Sequence, residues 1–267
     1  MIEKYYNGVI EQVAGGIGNV EHNSILVRYS NDFSIWDLES VNHYKDQTDI
    51  FFTCHEFSYN KIAEAYEPYL GLIRQMFHKY CSGTLEEFME ECDVYKLQRP
   101  VFESYFEKGF CERTEQILID EVEYEQERMH SSIVTMLQKL SEICPIVIVL
   151  NRFQLASKST MQLTNRLLQT KNKNIGIVLG VNDVQSIPEF AHEEWDAICE
   201  SMDDRNMVYH IGNAGRNMEP DVMDYYSDYE SDDGYRKLNN LVYFLDFDQA
   251  NHHLSKIERR IKFDNFT

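Results

Sequence analysis

Short apolar runs bounded by polar residues recur along the chain and predict buried β-strands. The most apolar run covers residues 145–150, Pro-Ile-Val-Ile-Val-Leu, and stops at Asn151. Comparable runs cover 24–29, 49–54 and 174–180. Val, Ile and Leu occupy consecutive positions in these runs, so the strands are expected to be buried on both faces, as in a parallel sheet.

Between the runs, apolar residues repeat at three-to-four spacing, which predicts amphipathic helices. These stripes cover residues 1–14, 35–41, 62–77, 85–89, 114–142, 159–168, 189–203 and 237–262. A further short strand is predicted at 208–211. Strands that alternate with helices are typical of an α/β domain with a mostly parallel sheet between helical layers. In such folds the functional groups follow the carboxyl ends of the strands, which here points to Asn151 and its neighbours.

An acidic, tyrosine-rich stretch precedes the last helical stripe. Residues 217–234 contain no Lys or Arg, and they do not fit a calcium loop because Asp233 and Asn239 occupy the positions of its Gly and Glu. We interpret this stretch as a solvated linker. The predicted division is an N-terminal helix (1–20), an α/β domain (21–216), an acidic linker (217–236), and a C-terminal amphipathic helix (237–267) with the character of the start of a helical-repeat region.

Charge and cysteine usage narrow the classes of function. The chain carries 45 acidic and 25 basic residues, a net charge of -20. This charge repels polyanions and argues against direct binding of nucleic acid or an anionic membrane. The six cysteines form no CxxC pair, and no signal peptide or apolar run of about 20 residues is present. A cytoplasmic protein with reduced thiols is predicted.

One glycine-rich segment, Ala14-Gly-Gly-Ile-Gly-Asn19, has the look of a phosphate loop. A phosphate loop follows a strand and continues with Lys and a hydroxyl residue. Here a predicted helix precedes it, and Asn19 and Val20 take those two positions. The segment is therefore interpreted as a helix stop and turn.

Three further segments give the chain a resemblance to the ATPase module of STAND signalling proteins, which are P-loop NTPases. Phe51-Phe-Thr-Cys-His-Glu56, followed by Ala65-Tyr-Glu-Pro-Tyr-Leu-Gly-Leu-Ile73, resembles that family's second strand and next helix. The segment 146–157 resembles its Walker B strand, and 177–183 resembles the strand that ends in a polar sensor residue. The match covers about residues 20–215 and implies a P-loop NTPase-like three-layer α/β fold.

The chain departs from this family at both catalytic motifs. Where the phosphate loop belongs, residues 29–36 lack Gly and Lys, and Asp32 places a negative charge beside the expected phosphates. At the Walker B position, Asn151 and Arg152 replace the acids that hold magnesium. The resemblance implies a vestigial nucleotide pocket formed by Ser30, Asn31, Ser34, Asn151, Arg152, Gln154 and Asn182. No metal and no cofactor are expected; ATP or ADP is possible but not favoured.

The first hypothesis is a non-catalytic, ATPase-like regulatory module. It would act through contacts with a protein partner or with downstream domains of the same polypeptide, as the N-terminal part of a larger bacterial signalling protein. The first alternative is a nucleotide-binding switch with an atypical, metal-independent site. The second is a hydrolase that uses Cys54 and His55, which are adjacent at the end of a predicted strand.

Overall fold

A computed structural model gives the fold. It describes residues 2–18, 23–30, 35–47, 49–58, 61–111, 122–170, 172–182, 187, 189–203, 208–211 and 232–264. The fold is α/β, as predicted, with a five-stranded sheet in which every pair of neighbours is parallel. The strands are β1 (Ser24–Tyr29), β2 (Phe51–Glu56), β3 (Ile146–Asn151), β4 (Ile175–Asn182) and β5 (Val208–Ile211).

Helices cover both faces of this sheet and make three layers. They are α1 (Ile2–Gly15), α2 (Glu39–Lys45), α3 (Tyr69–Tyr80), α4 (Leu85–Glu91), α5 (Arg99–Lys108), α6 (Val122–Ile143), α7 (Lys158–Gln169), α8 (His192–Asp203), α9 (Asp232–Tyr243) and α10 (Phe247–Asp264). Helix α1 packs on β4, β1 and β3, with α2 beside it over β2. Helices α6, α7 and α8 pack side by side. The right-handed crossovers that parallel strands adopt put them on the face opposite to α1 and α2.

The order of the strands fixes where a site can form. Across the sheet the order is β2-β3-β4-β1-β5. The connection after β1 runs towards the β2 edge, whereas the connection after β4 runs towards the β5 edge. Because β1 and β4 are neighbours, their carboxyl ends form the topological switch point at which open α/β sheets bind ligands.

The N-terminal helix is an integral part of the α/β layer structure. A Cβ atom added to Gly176 of β4 would lie 2.7 Å from Val13 Cγ1, so the missing side chain allows α1 to approach the sheet. Helix α1 ends at Gly15, and Gly18 (φ 97°) donates its N–H to the carbonyl of Lys173 at 2.7 Å. The glycine-rich segment therefore does stop the helix and turn the chain, as predicted.

Several predicted boundaries differ from the observed ones. Strand β2 starts two residues later than predicted, at Phe51, and includes Glu56. Of the long predicted helix 114–142, residues 114–121 lie outside the described part, and the rest belongs to α6. Residues 217–231 of the predicted acidic linker also lie outside it, whereas Asp232 already begins α9.

The single C-terminal helix predicted for 237–262 is wrong, because the structure has two helices there. The stripe of apolar residues continues across the break, which is why periodicity alone missed it. Leu245 adopts a left-handed backbone conformation (φ 65°), and Asp246 then caps α10 by accepting the N–H of Gln249 at 3.3 Å. Phe244 beside the break is fully buried, with its ring centroid 5.7–5.9 Å from those of Tyr66, Phe102 and Tyr105.

Asp246 also joins the two C-terminal helices to the α/β core. Its Oδ2 accepts the N–H of Ser159, in the first turn of α7, at 2.9 Å. One carboxylate thus satisfies orphan donors at the starts of two helices, where negative charge is favoured. Burial raises the pKa of this carboxyl, and the donors from Ser159 and Gln249 act in the opposite direction.

We expect Asp246→Ala to lower the free energy of unfolding by about 2 kcal/mol, because it removes two N-terminal helix acceptors and leaves a buried N–H unpaired. Urea denaturation measures the change. Asp248→Ala is the matched control: its side chain is 58% exposed, and its ion pair with Lys158 contributes about 1 kcal/mol or less. Equal small losses for the two variants would contradict the double capping role.

Candidate functional site

The carboxyl ends of β1, β3 and β4 meet at a buried hydrogen bond, the Tyr29–Asn151 bridge. The Tyr29 hydroxyl donates to Asn151 Oδ1 at 2.7 Å, and both side chains are almost completely buried. These residues belong to β1 and β3, which are not neighbours because β4 lies between them. The bridge therefore spans three strands on the sheet face covered by α1.

Gly180 of β4 leaves the space through which this bridge passes. A Cβ atom there would lie 2.6 Å from Asn151 Oδ1 and would also overlap the phenol of Tyr6. Tyr6 comes from α1, is fully buried, and packs edge-to-face on Tyr29 with centroids 6.5 Å apart. Burial raises the pKa of Tyr6 well above its ordinary value, so the phenol stays neutral.

An ion pair lies beside the bridge. Arg152 Nη2 is 3.6 Å from Glu56 Oε1, and Glu56 Oε2 accepts the backbone N–H of Ile35 at 3.4 Å. The backbone of Arg152 adopts a left-handed conformation (φ 53°), which turns the chain sharply at the end of β3. The side chains of Arg152 and Glu56 are 20% and 13% exposed, so this pair lies nearer to solvent than the Tyr29–Asn151 bridge does.

Gln154 is used internally. Its side chain is fully buried; Nε2 donates to the carbonyl of Asn182, and Oε1 accepts the N–H of Asn182, both at 3.4 Å. The amide thereby continues the pairing of β4 beyond the point where β3 has ended. This position fits the apparent Walker B pattern, yet its side chain holds a strand end.

The structure brings together four of the seven predicted pocket residues: Asn151, Arg152, Gln154 and Asn182. Ser30 directly follows β1 at the same edge, whereas Asn31 and Ser34 lie outside the described residues. The sequence prediction missed three participants: Tyr6, Tyr29 and Glu56. The first two are aromatic residues that stand among ordinary core positions, and the third lies two residues beyond Cys54, where the apolar run predicted β2 to end.

Cys54 and His55 do not form a thiol–imidazole pair. They are consecutive residues of β2, so their side chains point to opposite faces of the sheet. Burial raises the pKa of Cys54 to about 11. His55 packs against Phe57 with centroids 4.5 Å apart and lies 3.6 Å from Glu67, but burial and Lys61 lower its pKa to about 4, so the imidazole is neutral.

A metal site and a membrane-spanning helix each have structural requirements, with which the described residues can be compared. Within them, no group of three or more His, Cys, Asp and Glu side chains is arranged to hold a metal ion. None of the described helices is long and apolar enough to cross a membrane. All six cysteines are described and carry free thiols.

Comparison with known proteins identifies no family. No protein-family model matches the chain, and no curated protein is significantly similar to it in sequence.

We expect Gly180→Ala to destabilise the protein by about 2 kcal/mol or more. The new methyl group would overlap the side chains of Tyr6 and Asn151, which are held in place by the packing around them. Gly71→Ala is the matched control: it lies in α3 with nothing within 4 Å of the added Cβ, so it should stabilise by about 0.5–1 kcal/mol. Thermal and urea denaturation measure both variants. A neutral Gly180→Ala would show that the bridge does not need this gap.

We expect Cys54 in the folded protein to react with iodoacetamide at pH 8 at least about a hundredfold more slowly than in the urea-unfolded chain, because only about one thiol in a thousand is ionised at a pKa near 11. Peptide mass spectrometry separates Cys54 from the other five cysteines. Fast labelling of Cys54 below pH 7 would instead support the hydrolase alternative.

Proposed function

We propose that this chain is a non-catalytic, P-loop-ATPase-like regulatory module that acts through protein–protein contacts. The observation that carries the proposal is the Tyr29–Asn151 bridge, because it occupies the switch point of the sheet with the protein's own side chains. In the family that the sequence resembles, the phosphate loop and the Walker B strand meet at this place. Tyr29, the first residue of the segment 29–36 at the phosphate-loop position, bonds here to Asn151 of the Walker B position, which supports the proposal.

The residues at the Walker B position argue against magnesium chemistry. Asn151 supplies a neutral amide oxygen, which is already used by Tyr29 and is fully buried. Arg152 supplies a cation that would repel Mg²⁺. The Glu56 carboxylate at the same edge lies 3.6 Å from that guanidinium. An ATPase needs carboxylates free to hold the metal and to orient water, whereas Glu56 is committed to an ion pair.

Arg152 is also the residue on which the nucleotide-switch alternative depends. A phosphate could replace Glu56 as its partner only if the ion pair opened. The cost of leaving the mostly buried Glu56 carboxylate without its cation opposes this exchange. The ion pair therefore favours a module without nucleotide over a metal-independent switch.

The surface of the chain favours protein partners. The net charge of -20 disfavours nucleic acid and anionic lipid as ligands. A module without its own chemistry must act by binding, and an acidic surface selects partners that carry basic residues.

We expect isothermal titration with ATP, ADP and GTP, with and without magnesium, to give no binding heat. A nucleotide at about 1 mM and a Kd of about 10 μM would stabilise the fold by about 2.7 kcal/mol, so thermal unfolding is a sensitive second measurement. We expect no shift in Tm. Micromolar binding that is lost in Arg152→Ala would overturn the proposal and establish the switch.

A further inference from the structure

A large polar groove lies along α7, between α6 on one side and α8 on the other. Its volume is about 1090 Å³, and the start of α10 closes one end. The lining from α7 includes three amide side chains, Gln162, Asn165 and Gln169. We call this feature the α7 groove. Small-molecule pockets are mostly apolar and have volumes of about 300–1,000 Å³. A polar groove of this size therefore suits a long ligand better than a small molecule.

The walls of the α7 groove are acidic on all sides. Glu123 and Glu127 line it from α6, Glu193 and Glu194 from α8, and Asp246 and Asp248 from the α10 end. The two basic residues in the lining are already paired: Lys158 with Asp248 at 2.6 Å, and Arg166 with Glu127. Glu123 and Glu193 at the rim are exposed and make no ion pair with another described residue. The groove therefore carries an excess of negative charge.

Two buried polar atoms in the lining have no hydrogen-bond partner among the described residues. The side chain of His130 is only 9% exposed, and its Nε2 has no hydrogen-bond partner among the described residues. Burial lowers the pKa of His130 to about 4, against the attraction of Glu127, so the ring is neutral and has a nitrogen that can accept. Glu194 Oε2, on the opposite wall, also lacks a partner there. Buried polar atoms without partners are uncommon in native proteins and call for an explanation, which a donor-bearing ligand in the groove would supply for these two.

We propose that the α7 groove docks a segment of a partner protein that carries several lysine or arginine side chains. Cationic side chains supply both the positive charge that the walls lack and the N–H donors that the lining acceptors lack. The inference rests on the proposed function, since it names the chemistry of the protein partner. Its test does not involve nucleotides, so peptide and nucleotide results can fail independently.

Fluorescence anisotropy with a short labelled helical peptide of Lys, Leu and Ala tests the proposal, at an ionic strength of about 0.15 M, where distant charges are screened. The same peptide with Glu in place of Lys is the ligand control. We expect the Lys peptide to bind and the Glu peptide not to bind. The double variant Glu123→Lys/Glu193→Lys should weaken binding of the Lys peptide at least tenfold.

The matched protein control is Glu86→Lys with Glu107→Lys, on α4 and α5. Both of these residues are exposed, neither lines the groove, and the change in net charge is the same. We expect this variant to bind the cationic peptide as the unmodified protein does.

Three outcomes would overturn the groove proposal. Equal weakening in both double variants would show a general attraction to an acidic protein. Absence of peptide binding would remove the docking site. Spermidine is the third case: if it binds in the absence of peptide, as tightly as the peptide does and with the same dependence on Glu123 and Glu193, the groove is assigned to a small polyamine. Circular dichroism and Tm confirm that each variant is folded.

Discussion

A single buried hydrogen bond, from Tyr29 on β1 to Asn151 on β3, determines the character of the carboxyl edge. It can exist only because Gly180 of the intervening β4 has no side chain, and because Tyr6 of α1 covers it from above. Breaking it would leave polar atoms buried without partners, which costs about 1–3 kcal/mol per group. At this point of the edge where α/β proteins bind ligands, the described structure is filled by the protein's own buried side chains.

A single side chain also connects separate elements where the C-terminal helices join the core. Asp246 caps α7 and α10 together, and α7 is the helix that follows β3 and its buried Asn151. The α7 groove lies on the outer side of that helix. A partner bound in the groove would therefore contact α7, the helix that Asp246 caps and that follows the bridge residue Asn151 along the chain.

Much of the fold was predictable because strands buried on both faces leave consecutive Val, Ile and Leu, as at 146–150. The break between α9 and α10 was not, since Phe244 and Leu245 keep the apolar stripe while one left-handed residue ends the helix. The edge position of Asn151 and Arg152 was also predictable from the strand end. The contributions of Tyr6 and Gly180 were not, because they depend on which helix covers which strand, and no local pattern contains that information.

The most direct test of the closed edge is a double-mutant cycle with Tyr29→Phe and Asn151→Ala, measured as free energies of unfolding in urea. If the bridge is a real interaction in a buried site, the two changes should be coupled by about 1–2 kcal/mol, within the range of contacting residues. Losses that add within about 0.5 kcal/mol would mean that the two side chains act independently, and that the carboxyl edge is not closed by this bond.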